Sequence, residues 1–159
     1  MKDRNTKKGL LRTGVLLIML FFWYGTVFSF SAQDGEESGS LSRDISYALI
    51  KGFDCLTGTA RSTEQLNETV EAMQWGIRKI AHFTEYFTLG VLLFMLLKPG
   101  RNKMMWPVLV AVILLSASAD EFHQTFVPGR CGSPKDVLLD FAGGITGCLL
   151  CIGIGKFKN

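Results

Sequence analysis

Cysteine is scarce in this chain, with four residues in 159. That is well under the ~8–10% of a short chain built on disulfides, so a disulfide scaffold is excluded. Histidine is scarcer still, with two. There is no glycine-rich phosphate loop, no nucleophile elbow and no rigid metal signature, so P-loop and serine-hydrolase chemistry have no footing. Charge is low as well: 19% of residues against 48% hydrophobic, with a net charge of +3 and a mean hydropathy of +0.25. So much apolar surface excludes a disordered chain, and the length suits one domain. Positive hydropathy beside 19% charge is unusual for a soluble globule. It makes sense if the apolar and charged residues are segregated along the chain.

They are segregated. No charged residue occurs from Thr13 to Gln33, and a bilayer span needs ~20 mostly apolar residues. A first span is expected over 13–32. Residues 79–97 form a second, interrupted only near its start by Lys79, His82 and Glu85. Residues 104–124 form a third, polar from Asp120 onward, and residues 136–155 a fourth, with Asp136 and Asp140 as its charges. The expected fold is all-α, a single domain in the form of an integral membrane four-helix bundle. The first span also has the basic flank of a cleaved signal peptide, but it exceeds the ~7–15 residues of such a segment and is read as retained.

Lysine and arginine bias sets the orientation. Lys2, Arg4, Lys7, Lys8 and Arg12 precede the first span. Lys98, Arg101 and Lys103 join the second to the third, and Lys156 and Lys158 follow the fourth. Both termini are therefore expected in the cytoplasm. The basic excess is used up by this topology, so no nucleic-acid partner is expected. The remaining long segment, 33–78, is mostly acidic and expected outside. In it Leu41, Ile45, Leu49, Gly52 and Leu56 recur near helical spacing. Leu66, Val70, Met73 and Ile77 do so again after a Ser62/Gln65 capping box. Two short extracytoplasmic amphipathic helices, on the membrane or on the bundle, fit that pattern. Cys55 and Cys131 fall on this outer side, where a disulfide is chemically allowed.

Ionisable residues inside spans are costly and point to function. Lys79, His82, Glu85 and Tyr86 share one helix face, as do Asp120, His123 and Gln124. Glu121 points about 100° away from Asp120. Asp136 and Asp140 lie one turn apart, Arg130 sits in a Pro128-Gly129 turn, and Gln33 ends the first span. With the topology above, all of these fall at the outer ends of their helices and converge on one outward-facing pocket. Each also has a plainer reading. Asp136 caps a helix begun by Ser133-Pro134. Arg78 and Lys79 snorkel to the interface, and Tyr86 joins an aromatic belt. Glu121 pairs with a lysine or faces water, and His82 with Glu85 forms a structural polar pair. Gly143 and Gly147, a small-xxx-small pattern on the face of Asp140, would draw that carboxyl into the bundle.

In catalytic terms the candidates are His82, Glu85, Asp120, Glu121, His123 and Asp140. The substrate-binding candidates are Gln124, Arg130, Asp136, Tyr86, Lys79 and Gln33. Arg130 matches phosphate oxygens. His82 or His123 suits a general acid or base, with Glu85 or Asp120 to orient it. No cofactor is specified. A divalent metal would find carboxylate and imidazole donors here, without a specific motif.

The runs HFTEYFTLGVLL (82–93) and SADEFHQTFVPGRCGSPKDVLLDFAGGITG (118–147), with FSFSAQDGEESGSLS (28–42), resemble the VanZ-like family of bacterial membrane proteins. The resemblance covers nearly the whole chain. It implies a multi-pass protein of the bacterial cell membrane, in a family named for a protein of teicoplanin resistance. Its four-helix core is similar to that of membrane enzymes that exchange or hydrolyse lipid head groups, phosphatidylserine synthases among them. By the same carry-over the polar site would comprise His82, Glu85, Asp120, Glu121, His123, Gln124, Arg130, Asp136 and Asp140. Two functions stay open: an enzyme acting on lipid head groups or envelope glycolipids, or a non-catalytic protein binding lipid or lipoglycopeptide, or an envelope-complex subunit. The expected partners are membrane lipids or a lipid-linked envelope precursor, and an oligomer is left open.

Overall fold

The computed structural model describes residues 2–99 and 102–156. Arg101 and Lys158, which the charge pattern assigns to basic connections, lie outside the described residues. Five helices follow in order: α1 Lys2–Ser31, α2 Gly35–Thr57, α3 Thr63–Leu97, α4 Met105–Gln124 and α5 Pro134–Lys156. There is no strand among the described residues. Four of the helices, α1, α3, α4 and α5, are long and apolar enough to cross a membrane.

The acidic segment between the first two spans differs from its sequence reading in one way and decides it in another. First, its second amphipathic helix and the second span are one helix. Ser62 caps α3 with the expected reciprocal box to Gln65, and no residue between Thr63 and Leu97 stops the chain. Thirty-five residues span about 52 Å at 1.5 Å each, more than a ~30 Å hydrocarbon core. The expected start of a span at Lys79 is therefore not a helix start but a point along α3. Second, of the two placements left open for the leucine stripe of α2, on the membrane or on the bundle, the bundle is taken by another face. Ser38, Ser42, Ser46 and Ile50 are buried, whereas Leu41, Ile45, Leu49 and Leu56 are exposed. The serine hydroxyls bond to their own helix, Ser42 to the Ser38 carbonyl at 2.8 Å and Ser46 to the Ser42 carbonyl at 2.7 Å. That satisfies them without water, and their small size lets α2 lie close on α3.

α3 is the central element and packs against all four other helices, α5 above all. At the α3–α5 crossing Gly90 faces the Gly144 backbone, Gly143 faces Phe83 and Gly147 faces Phe87. A Cβ on any of the three would press into a carbonyl of the neighbouring helix. Small residues permit this approach, and the glycine pattern seen in the sequence lies at that interface. Around it, Leu89, Leu92 and Leu93 of α3 pack with Leu16, Leu20 and Val27 of α1. Leu109, Ile113 and Ala117 of α4 and Cys148 of α5 complete the core. All four cysteines are free thiols, with Cys55 and Cys131 exposed.

Gly90→Ala should destabilise the protein by roughly 1–3 kcal/mol through overpacking. Gly153→Ala, on α5 but facing open space, should be neutral or slightly stabilising. Melting temperatures in detergent check this.

Candidate functional site

The end of the bundle where α1 and α4 finish and α5 begins is polar. Ser31 is the last residue of α1, Gln124 the last of α4, and Pro134 the first of α5. α3 passes through this end near its middle, so its arginine-to-tyrosine stretch lies beside them. The tight α3–α5 crossing pulls Asp140 wholly inside, with 0% exposure. His82 of α3, Asp120 and Glu121 of α4 and Asp140 each offer a ligand atom, all within 4.8 Å of one another. Asp120 and Glu121 point different ways around α4, as the sequence suggests, yet both reach this cluster. Glu121 is 3% exposed and one of its oxygens accepts the Ser133 amide at 2.9 Å. It therefore neither faces water nor pairs with a lysine.

The hydrogen bonds of this cluster are incomplete. Both carboxylate oxygens of Asp140, one of Glu121 and Nδ1 of His82 are buried without a partner. His82 Nδ1 lies 3.7 Å from Asp140 Oδ1, too long for a hydrogen bond. On its other nitrogen, His82 Nε2 lies 3.3 Å from Arg130 Nη2. A guanidinium only donates, so Nε2 accepts and the ring proton sits on Nδ1. The same guanidinium also donates to the carbonyls of Phe30 at 3.0 Å and Gln33 at 3.3 Å, which ties the turn after α4 to the exit of α1.

Beside the cluster lies a cavity of about 360 Å³ between α1, α2 and α3. Arg130, Arg78, His82 and Glu85 supply its polar wall, while Trp23, Phe30, Leu41 and Ile45 supply its apolar one. No hydrogen bond engages the Glu85 carboxylate among the described residues. The Nε of Arg78 is buried and unpartnered. Burial, with the neighbouring Arg78 charge, holds the Arg130 guanidinium below its ordinary pKa against the opposing charges of Asp120, Glu121 and Glu85. A larger cavity of 540 Å³ opens at the opposite end between α1, α3 and α5. It is lined by Phe94, Met95, Leu150 and Ile154 and holds no acid or histidine.

The other candidates sit around this centre. Lys79 and Asp136 form an ion pair at the rim, each about one-fifth exposed. Gln33 lines the cavity. Gln124 is buried and donates to Asp120 at 3.4 Å. His123 lies towards α1, with Nδ1 3.3 Å from the Ser31 hydroxyl and its ring 4.9 Å from that of Phe28. Tyr86 is in the core rather than in an interfacial belt, and its hydroxyl donates to the Ser116 carbonyl at 3.1 Å. Sequence reasoning passed over Arg78, treated as an interfacial residue, although it stands one turn before His82 on the same face. It also passed over Trp23, whose indole donates to the Glu85 carbonyl at 3.0 Å and closes the cavity from α1. No spacing signal marks that residue.

Glu121 fixes the start of α5 through Ser133, so Glu121→Ala should cost about 1–3 kcal/mol by orphaning that amide. Glu121→Gln keeps an acceptor and should cost less. Faster hydrogen exchange at Ser133 in the alanine variant alone is the expected readout.

The sequence model of the VanZ/LLP1 family matches residues 16–155. No curated protein and no solved structure matches the chain. The family match takes in all of the polar end and most of every helix, and the chain belongs to the VanZ/LLP1 family.

Proposed function

We propose that this protein is a membrane enzyme acting on phosphate-bearing lipid head groups, or on lipid-linked envelope precursors, at the outer face of the bacterial cell membrane. The observation that carries the reading is the 360 Å³ cavity whose wall brings Arg78 and Arg130 together beside the Glu85 carboxylate and His82, with no ion pair formed by either arginine among the described residues. Two guanidinium groups match phosphate oxygens, and the apolar wall of α1 and α2 suits the lipid portion. The orientation is supported by charge. Lys7, Lys8 and Arg12 at the start of α1, Lys98 and Lys103 between α3 and α4, and Lys156 at the end of α5 all belong to the end opposite the polar site. By the positive-inside rule that end is cytoplasmic. The exposed leucine face of α2 then lies against the outer leaflet.

The chemistry follows from which groups are free. His82 is engaged by Arg130, and His123 is turned towards α1. Glu85 is the general base of this reading. An acceptor hydroxyl, from water in hydrolysis or an alcohol in exchange, gives its proton to Glu85 as its oxygen bonds to phosphorus. The phosphorus–oxygen bond to the departing alcohol breaks, and the proton returns to that oxygen. Arg78 and Arg130 hold the phosphate while negative charge grows on it. Removal or exchange of head groups at this face would alter what a lipoglycopeptide such as teicoplanin meets there, which is how this reading accommodates a resistance role.

The test is incubation of the purified protein with radiolabelled phospholipid and polyprenyl-diphosphate-linked sugar. Turnover should appear in the wild type and fall about 10²–10⁴-fold in Glu85→Gln at unchanged protein level. Stoichiometric binding without product would instead support a lipid- or lipoglycopeptide-binding protein. Full activity in Glu85→Gln would remove Glu85 as the base.

A further inference from the structure

The cluster behind the cavity carries more than the head-group reading uses. Asp120, Glu121 and Asp140 bring three carboxyl groups to one place, with His82 beside them. Among the described residues no cation reaches the buried atoms left open. Lys79 is taken by Asp136, and Arg130 donates to two carbonyls and to Nε2 of His82. Asp140, fully buried, has neither oxygen satisfied, and Glu121 and His82 each aim one unpartnered atom at the same point. Buried carboxylates are costly unless they are paired, protonated or bound to a metal.

We infer that His82, Asp120, Glu121 and Asp140 bind one divalent transition-metal ion of the Mn²⁺ or Zn²⁺ class. One imidazole nitrogen with carboxylate oxygens is a donor set that such ions accept. Metal–ligand bonds of about 2.0–2.2 Å put ligand atoms up to ~4.4 Å apart across an ion, so atoms now within 4.8 Å close on it with small side-chain shifts. A single ion gives a partner to the open atoms of His82 and Glu121 and to one oxygen of Asp140 at once. It also changes His82. With Nδ1 on the metal the ring proton moves to Nε2, which can no longer accept from Arg130. Metal loading therefore frees a guanidinium arm next to the cavity, where a phosphate would take it. That last consequence rests on the head-group reading above; the binding of the ion does not.

The full chain, purified in detergent and stripped with EDTA, is titrated with Mn²⁺ and free Mn²⁺ is read by electron paramagnetic resonance. One saturable site per chain is expected, displaced by Zn²⁺, with a rise in melting temperature on loading. Asp140→Asn and Glu121→Gln should each weaken binding at least tenfold and lose the rise. No saturable site in a wild type that still melts cooperatively overturns the inference and leaves Asp140 a protonated structural residue. Equal binding by both variants overturns it as well. Mn²⁺ binding without lipid turnover leaves the metal site standing and removes the head-group reading. Turnover that survives EDTA, with no Mn²⁺ bound, does the reverse.

Discussion

Asp140 is held inside the bundle because α5 lies too close to α3 for its carboxyl group to turn towards lipid. The closeness comes from glycine: Gly90 against Gly144, with Gly143 and Gly147 against Phe83 and Phe87. Once the carboxyl is inside, the surroundings have to answer it. α3 brings His82 one way and α4 brings Asp120 and Glu121 another, while the Ser133 amide fixes Glu121 in place. Packing and polarity are thus coupled at one crossing. The apolar core beside that crossing, around Leu89 of α3 and Ile113 of α4, contributes the burial energy against which the polar half is assembled.

Arg130 links this centre to the rest of the polar end. One side chain reaches the α1 exit through the Phe30 and Gln33 carbonyls, and the His82 ring through its second arm. The turn that presents it is itself fastened to α2, since the Gly35 amide donates to the Pro128 carbonyl at 2.9 Å. α2 therefore does more than fill the gap between two spans. Its serine face lies on α3, Leu41 and Ile45 line the cavity at its edge, and Leu49 and Leu56 are left outward. In the proposed function that division sets a lipid surface next to the arginine-lined recess.

Much of this was legible before the fold. Hydropathy and length gave four apolar helices, because a span declares itself by its own composition. The convergence of His82, Glu85, Asp120 and Asp140 followed from placing each at one end of its helix, which needs only topology. What the sequence did not disclose depends on which neighbour a helix meets. The leucine stripe of α2 suits either the membrane or the bundle, and the serines, which pack more closely on α3, take the bundle side. The break expected before Lys79 is absent because a helix stops only where a residue stops it. Arg78 looked interfacial until α2 was found lying over it. Trp23 and Ser133 act through an indole and a backbone amide, which no spacing rule marks.

The central claim is that the polar end receives a phosphate-bearing lipid. It is tested most directly by purifying the protein gently with its co-extracted lipids and weighing the complex by native mass spectrometry. The account expects about one phosphate-bearing lipid retained per chain, lost when Arg78 is replaced by Gln. A wild-type chain that retains only neutral lipids, or an Arg78→Gln variant that retains the same phospholipid, would contradict it.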